Sequence, residues 1–368
     1  MSRLMVLFLL AIGLLLAVHP MLAASFAVGA CKPSLPSYPS ISAAVSSVPP
    51  NSIVEVCPGT YSEQVTIAQP LTLKGISSGN AGQVVVTVPG SGLTSLTTGY
   101  GYVVAALVNV TATTGAVNIS NITVDGTGNN QSYPPTWVVG IFYDDGSSGT
   151  ATEITARNLT GTGTGVGFWA ENTGATPESV TIENSSFHNI DDSAVAVQGS
   201  GSNLSVTVKG NTMQAGYDQV QFFFAEGSIS GNVVNGGNIG IYVVGPTTIS
   251  GNTLDNQINA GIYSFGGGLT ASANKISNVP YGIYLDGGGD TYKTNTITNT
   301  TIGIEFGCNS PTVVASNTIN DASTGLDLVP ASFSGANNLD NVGTLRAGCS
   351  ERPASSVKPS GPVPARAH

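Results

Sequence analysis

The sequence predicts an all-β fold, a single-stranded right-handed parallel β-helix (a solenoid) closed at its N-terminal end by a short helix. Three observations carry the prediction. First, the chain is rich in turn formers and β-branched residues, with 47 glycines among 368 residues and only 9% charged residues, a composition poor in helix formers. Second, an Asn motif recurs, in Gly231-Asn232-Val233-Val234, Gly251-Asn252-Thr253-Leu254, Ala273-Asn274-Lys275-Ile276, Thr294-Asn295-Thr296-Ile297 and Ser316-Asn317-Thr318-Ile319, at steps of 20, 22, 21 and 22. Third, a second motif follows each in phase: Gly240-Ile241-Tyr242, Gly261-Ile262-Tyr263, Gly282-Ile283-Tyr284, Gly303-Ile304-Glu305 and Gly325-Leu326-Asp327. A repeat of about 21 residues cannot bury its own apolar side. Stacking coils ~4.8 Å apart buries a continuous core and pairs the backbone of each coil with its neighbours.

From the N-terminus, Arg3 and the uncharged run Leu4–Val18, followed by Ala23, Ala24 and Ser25, read as a secretory leader over residues 1–24. A lipidated Cys31, after Val28-Gly29-Ala30, is the alternative. No later stretch is apolar enough to span a bilayer. Residues 25–349 form the β-helix domain. Residues 350–368, rich in Ser, Pro, Ala and Lys, lack periodicity and read as a disordered tail. Hydrophobic residues at 41% exclude disorder for the rest.

Ile41–Val48 has apolar residues at helical spacing and stops at Pro49-Pro50, so a short amphipathic helix is expected to plug the first coil. Short strands follow at Ile53–Val56, Val65–Ile67 and Leu71–Gly75. Upstream of residue 211 the Asn phase loosens, through Asn184 and Asn158, at spacings of 27 and 26 that imply longer turns. Asn211, Asn232, Asn252, Asn274, Asn295 and Asn317 are expected to stack as an internal hydrogen-bonded ladder, a structural rather than catalytic device. Alternation turns Ile241 and Val243 inward and Tyr242 outward.

Four cysteines in an exported chain favour two disulfides. They allow three pairings. The sequential one, Cys31–Cys57 and Cys308–Cys349, would staple the two ends of the domain.

The run Pro58-Gly59-Thr60-Tyr61-Ser62-Glu63 resembles the Gly-x-Tyr-x-Glu motif of pectin methylesterases, and the later repeats resemble those of the pectin-lyase-like superfamily of right-handed β-helices. The resemblance covers roughly residues 35 to 345 and speaks for fold more than activity. The Asp, Gln and Arg segments that pectin methylesterases use are missing, so esterase activity is not expected, and Tyr61 and Glu63 are read as serving the first coil. Asp191-Asp192-Ser193-Ala194-Val195-Ala196-Val197 resembles a polygalacturonase segment, and Asp218 falls one coil later. Clustered carboxylates serve inverting hydrolysis as acid and base, and adjacent coils would bring them within ~5 Å. The other polygalacturonase segments are missing, and the competing reading of these aspartates is as turn residues.

The remaining candidates are weighed by their chemistry. Tyr242, Tyr263 and Tyr284, extended upstream by Gln221, would stack on an outer face as an exposed strip on which a sugar ring could lie; ordinary cross-strand stacking is the plainer account. Asp286-Gly287-Gly288-Gly289-Asp290 could hold a calcium ion. No other cofactor and no metal site are expected. A net charge of −10 argues against nucleic acid and weakens any grip on a polyanion. The expectation is a secreted, extracellular or periplasmic β-helix that binds carbohydrate or a cell-surface polymer. The alternatives are a polysaccharide hydrolase or lyase centred on Asp191, Asp192 and Asp218, or a purely structural surface protein. Assembly state does not follow from the sequence.

Overall fold

In the computed structural model the described residues are 23–77, 83–112, 114–129, 136–160, 164–214, 216–308, 313–330, 333 and 335–349. Most of the leader (residues 1–22) and the whole tail (350–368) lie outside them.

The chain is a right-handed parallel β-helix. Each full coil contributes three strands. In one coil these are Thr247–Ser250, Thr253–Asp255 and Ala260–Phe265. The first strands form a 13-stranded sheet, the first face. The second and third strands join in a 21-stranded sheet that wraps two faces, because Lys275–Asp286, Thr296–Glu305 and Thr318–Val329 each run unbroken round the corner between them. Among the described residues one pairing is antiparallel, Thr97–Gly99 against Tyr102–Val104. The second strand of this hairpin belongs to the coil stack, where Val104 pairs with Trp137, and the first strand folds back on it beside the site described below.

The inward columns are the expected ones. Val220, Ile241, Ile262, Ile283, Ile304 and Leu326 pair in register and are buried in one core running the length of the helix. The first face adds Ile182, Val208, Ile229, Ile249 and Ala271.

The helix α1 (Ile41–Ser47) is capped by Ser40, whose hydroxyl accepts from Ala43 N–H. Ile41, Ala44 and Val45 are buried in the core at the open end of the stack. The Glu63 carboxylate accepts from Ile41 and Ser42 N–H, both at 2.9 Å, so it satisfies first-turn donors and pins the helix to the first coil. Tyr61 Oη donates to the Cys57 carbonyl at 2.8 Å. The disulfides are the sequential pair, Cys31–Cys57 and Cys308–Cys349.

The Asn ladder forms as a single file. From Asn211 onward each Nδ2 donates to the Oδ1 of the next Asn at 2.8–3.0 Å, and to a first-face carbonyl. Two details differ from the sequence reading. The file runs one coil further, to Asn337. Upstream, Ser185 takes the ladder position and donates its N–H to Asn211 Oδ1, while Asn184 sits one residue earlier with φ 51°. Asn158 belongs to a second, outer file: it pairs with Asn189, and Asn256, Asn278, Asn299 and Asn341 repeat the arrangement downstream. Each of these has φ between 49° and 63°. They mark the corner between the second and third faces, where Asn tolerates the left-handed conformation better than other non-glycine residues. The sequence motif merged two columns because both need Asn, for different reasons.

Candidate functional site

The outer surface of the third face carries two successive columns that matter. One runs Ala106, Val139, Val166, Ser193, Asp218, Ile239, Ala260 and Tyr281. The other runs Asn109, Phe142, Trp169, Ala196, Gln221, Tyr242, Tyr263, Tyr284, Glu305 and Asp327. Each column has an apolar stretch on either side of a polar middle, and the second is polar again at its ends, at Asn109 and at Glu305 and Asp327. Val139, Phe142, Val166 and Trp169 form one outward cluster, with Tyr102 and Trp137 packed on it. Ile239, Tyr242, Ala260, Tyr263 and Tyr284 form another, with Phe223 and Tyr281 at its edge. Between them lie the two coils of Ser193–Gln198 and Asp218–Phe223.

Two of the three predicted aspartates meet in that gap. Asp218 is fully buried. Its Oδ1 accepts from Asn238 Nδ2 at 3.3 Å and Ile239 N–H at 3.2 Å, and its Oδ2 from Gln221 Nε2 at 3.4 Å. Asp192 lies one coil back, with Ser193 Oγ donating to its Oδ2 at 2.8 Å. Burial, then repulsion from Asp192, pushes the Asp218 carboxyl up to about 8. Burial, with a smaller push from Asp191, raises Asp192 to about 6. The two carboxyls repel one another across the coils, so their titrations are coupled. Asp191 does not join them. It turns to the next corner, where it lines a shallow depression with His188, Asn189, Gln214 and Gly216. The strand Ser193–Gly199 begins immediately after the two aspartates, and consecutive side chains at that bend leave in different directions.

The tyrosine strip is a stack, as the period requires, but it is not exposed. Centroids of Tyr242 and Tyr263 are 4.9 Å apart and those of Tyr263 and Tyr284 are 5.0 Å apart, the latter pair parallel to within 19°. The three are only 4–6% exposed. Ile239, Ala260, Val244 and Phe223 crowd the rings from the neighbouring columns, which the alternation rule alone does not report. Gln221 is 8% exposed and directly precedes the stack.

The calcium candidate lies in the loop between the strands Lys275–Asp286 and Thr291–Lys293. Asp290 is buried and accepts from Leu269 N–H, Ser264 Oγ and Tyr292 Oη at 2.9–3.0 Å. Among the described residues no three His, Cys, Asp or Glu side chains are placed to hold a metal ion.

Sequence reasoning passed over a group at the upstream edge of the gap. Glu171 and Trp169 point outward from the strand Gly165–Asn172, beneath the hairpin. Tyr100 N–H donates to Glu171 Oε1 at 2.7 Å and Thr97 Oγ1 to Asp144 Oδ2 at 3.2 Å. Burial, reinforced by Asp145 and Asp144, raises Glu171 to about 8. Glu178, bonded to Gly146 N–H, is raised to about 9 by burial and the same acids. The alternation Phe168-in, Trp169-out, Ala170-in, Glu171-out was legible in the sequence. That a distant hairpin folds over this strand was not.

No protein-family model matches the chain, and no curated protein matches it at the level of sequence. Solved structures do match. The A-module of the mannuronan C-5 epimerase AlgE4 of Azotobacter vinelandii superposes with a TM-score of 0.56 at 14% identity, covering 83% of this chain and 90% of that one. The tailspike of E. coli bacteriophage HK620, solved with a pentasaccharide, gives 0.53 at 13% identity, covering 86% and 65%. The GH136 lacto-N-biosidase of Eubacterium ramulus gives 0.50 at 10% identity, covering 88% and 68%. These likenesses establish the fold, a right-handed parallel β-helix.

Proposed function

We propose that this chain is an exported protein that binds a carbohydrate polymer along its third face, centred on Asp192, Asp218 and Gln221. The observation that carries this reading is the polar break between the two apolar clusters of the outer face. Hydrogen-bonding groups at Ser193, Asp218, Gln221 and Asn238 lie between Trp169 on one side and Tyr242 on the other. Sugar sites combine ring faces with a few placed amides and carboxyls. The gap opens at Ala196, whose small side chain stands between Trp169 and Gln221 in the same column. Tyr217, on the rim beside Asp218, is exposed. Structural neighbours that act on or hold saccharides support the reading by fold alone. Two disulfides and the N-terminal leader pattern support export.

A glycan array probed with the mature protein tests the proposal. Retention of a polysaccharide is expected, with affinity reduced about tenfold in Tyr217→Ala or Gln221→Ala, equivalent to ~1.4 kcal/mol. If no glycan is retained, or both variants bind like wild type, the reading fails.

A second reading, a polysaccharide-degrading enzyme, is favoured by one observation: the Asp192–Asp218 pair holds one carboxyl protonated near neutral pH beside a second that ionises. Release of reducing ends or unsaturated product by wild type, abolished in Asp218→Asn, would establish it.

A further inference from the structure

The hairpin at the upstream end of the third face is hinged by a neutral side chain and latched to acids. At its base the Gln64 amide accepts from Ser95 N–H at 2.8 Å and donates to the Ser95 and Ala106 carbonyls, both at 2.9 Å. At its tip Tyr100 N–H donates to Glu171 Oε1 at 2.7 Å and Thr97 Oγ1 to Asp144 Oδ2 at 3.2 Å. The turn packs directly on the Glu171 carboxyl, which leaves no space between them. A Cβ on Gly99 would come within 2.9 Å of Glu171 Oε2 and 3.0 Å of the Phe142 ring, and Glu171 is 2% exposed. Its Oε2 has no hydrogen-bond partner, and neither ion pair found among the described residues involves it. The titratable groups that face it are acids: Asp144 and Asp145 from the preceding coil and Glu178 from the strand Glu178–Glu183. The hairpin itself brings no charged side chain, only the phenols of Tyr100 and Tyr102.

Little else holds the tip down. Of residues 94–101 only Gly99 is buried, while Leu96 and Tyr100 are 54% and 41% exposed. The strand Thr97–Gly99 pairs only with Tyr102–Val104 among the described residues, so no coil depends on it. A segment with so few buried apolar contacts opens at low cost. The carboxyl beneath it is costly to ionise in place, because the charge would enter a contact that holds neither water nor a cation. Lifting the segment hydrates that carboxylate and leaves the coil stack intact.

We propose that residues 94–101 are a pH-operated flap, seated while Glu171 is protonated and lifted from the third face when Glu171 ionises. Burial is the largest influence on this carboxyl. It outweighs the Tyr100 hydrogen bond, which favours the charged form, and raises the group from 4.5 to about 8. The seated flap therefore binds a proton that the lifted flap releases. Seating is fully favoured below about pH 4.5, loses about tenfold per pH unit as pH climbs toward 8, and changes no further above it. Burial also raises Asp144, the second latch, and acts in the same direction. Phe142, the ring under the flap, stands in the same outer column as Trp169, Ala196 and Gln221. Lifting thus lengthens the candidate polymer face at its upstream end; that consequence rests on the carbohydrate reading, and the flap itself does not.

Amide hydrogen exchange of the mature protein, read by mass spectrometry at pH 5, 7 and 9 and corrected for the intrinsic pH dependence of exchange, tests the flap. Peptides covering residues 94–101 should lose protection at least tenfold between pH 5 and pH 9, while the coils of the Asn ladder keep theirs. Glu171→Gln keeps an oxygen for Tyr100 N–H and cannot ionise, so its flap should stay seated at all three pH values. Glu178→Gln, at a carboxyl that bonds Gly146 N–H instead of the hairpin, should respond like wild type. Equal protection of 94–101 at pH 5 and pH 9 would overturn the flap. So would a response that survives in Glu171→Gln, or a loss of protection shared by the whole chain. Failure of every glycan to bind would remove the polymer reading and leave this result untouched.

Discussion

At the scale of single residues, the decisive feature is a set of carboxyls held above their usual range by burial. Asp218 is the clearest, being fully buried, coupled to Asp192 and raised to about 8. A carboxyl whose folded pKa exceeds its unfolded value binds an extra proton in the native state. Stability is therefore undiminished below about pH 4 and falls as pH rises toward the folded pKa. Asp218→Asn removes that penalty while keeping an oxygen for Asn238 and Ile239. Urea unfolding at pH 9 should find the variant more stable than wild type, by up to a few kcal/mol, with little difference at pH 4. A less stable variant at pH 9 would mean the ionised carboxylate is held by its hydrogen bonds more than it is harmed by burial.

At the scale of elements, two stacks hold successive coils in register. In the Asn ladder, Asn252 donates to Asn274 and to the Ile229 carbonyl and accepts from the N–H and Nδ2 of Asn232. Asn252→Ala orphans several buried groups at once and should cost ~3 kcal/mol in denaturant unfolding. Asn337→Ala, at the half-buried end of the file, should cost less, because water can reach the groups it leaves. In the tyrosine stack, Tyr263 sits between two rings and is 6% exposed. Tyr263→Ala should cost about 3 kcal/mol as a cavity mutant. A loss of ligand binding in that variant would therefore report on packing before it reported on recognition.

At the scale of the molecule, the titrating groups set opposite slopes. Asp192, Asp218, Glu171 and Glu178 are raised to about 6, 8, 8 and 9, and each withdraws stability as pH climbs. Asp125 runs the other way. Burial pushes it up, but hydrogen bonds from Thr127, Asn158 and Arg157 outweigh that and hold it near 2. Its contribution is lost as pH falls from about 4 toward 2. Thermal unfolding should therefore show the highest Tm between about pH 4 and 6, and a fall through pH 7–9. A Tm that rises from pH 5 to pH 9 would contradict the burial of these acids.

The repeat length by itself determined the β-helix, the inward Ile and Val columns and the single file from Asn211 to Asn317; it put Asp192 and Asp218 on neighbouring coils, although the register pairs Asp218 with Ser193. Equal offsets along the chain become neighbours when coils stack, so a one-dimensional period suffices for contacts between identical positions. It also misled where one residue type serves two columns, as Asn158 did, and where adjacent residues leave a bend in different directions, as Asp191 and Asp192 do. Burial of the tyrosine stack, and the closure of Trp169 and Glu171 under Thr97–Val104, were decided only in three dimensions. They depend on what lies across the outer face, and the hairpin comes from a segment some 70 residues away with a register of its own. Its second strand pairs in the coil stack, but its first strand and turn are placed by packing and by two hydrogen bonds that no periodicity encodes.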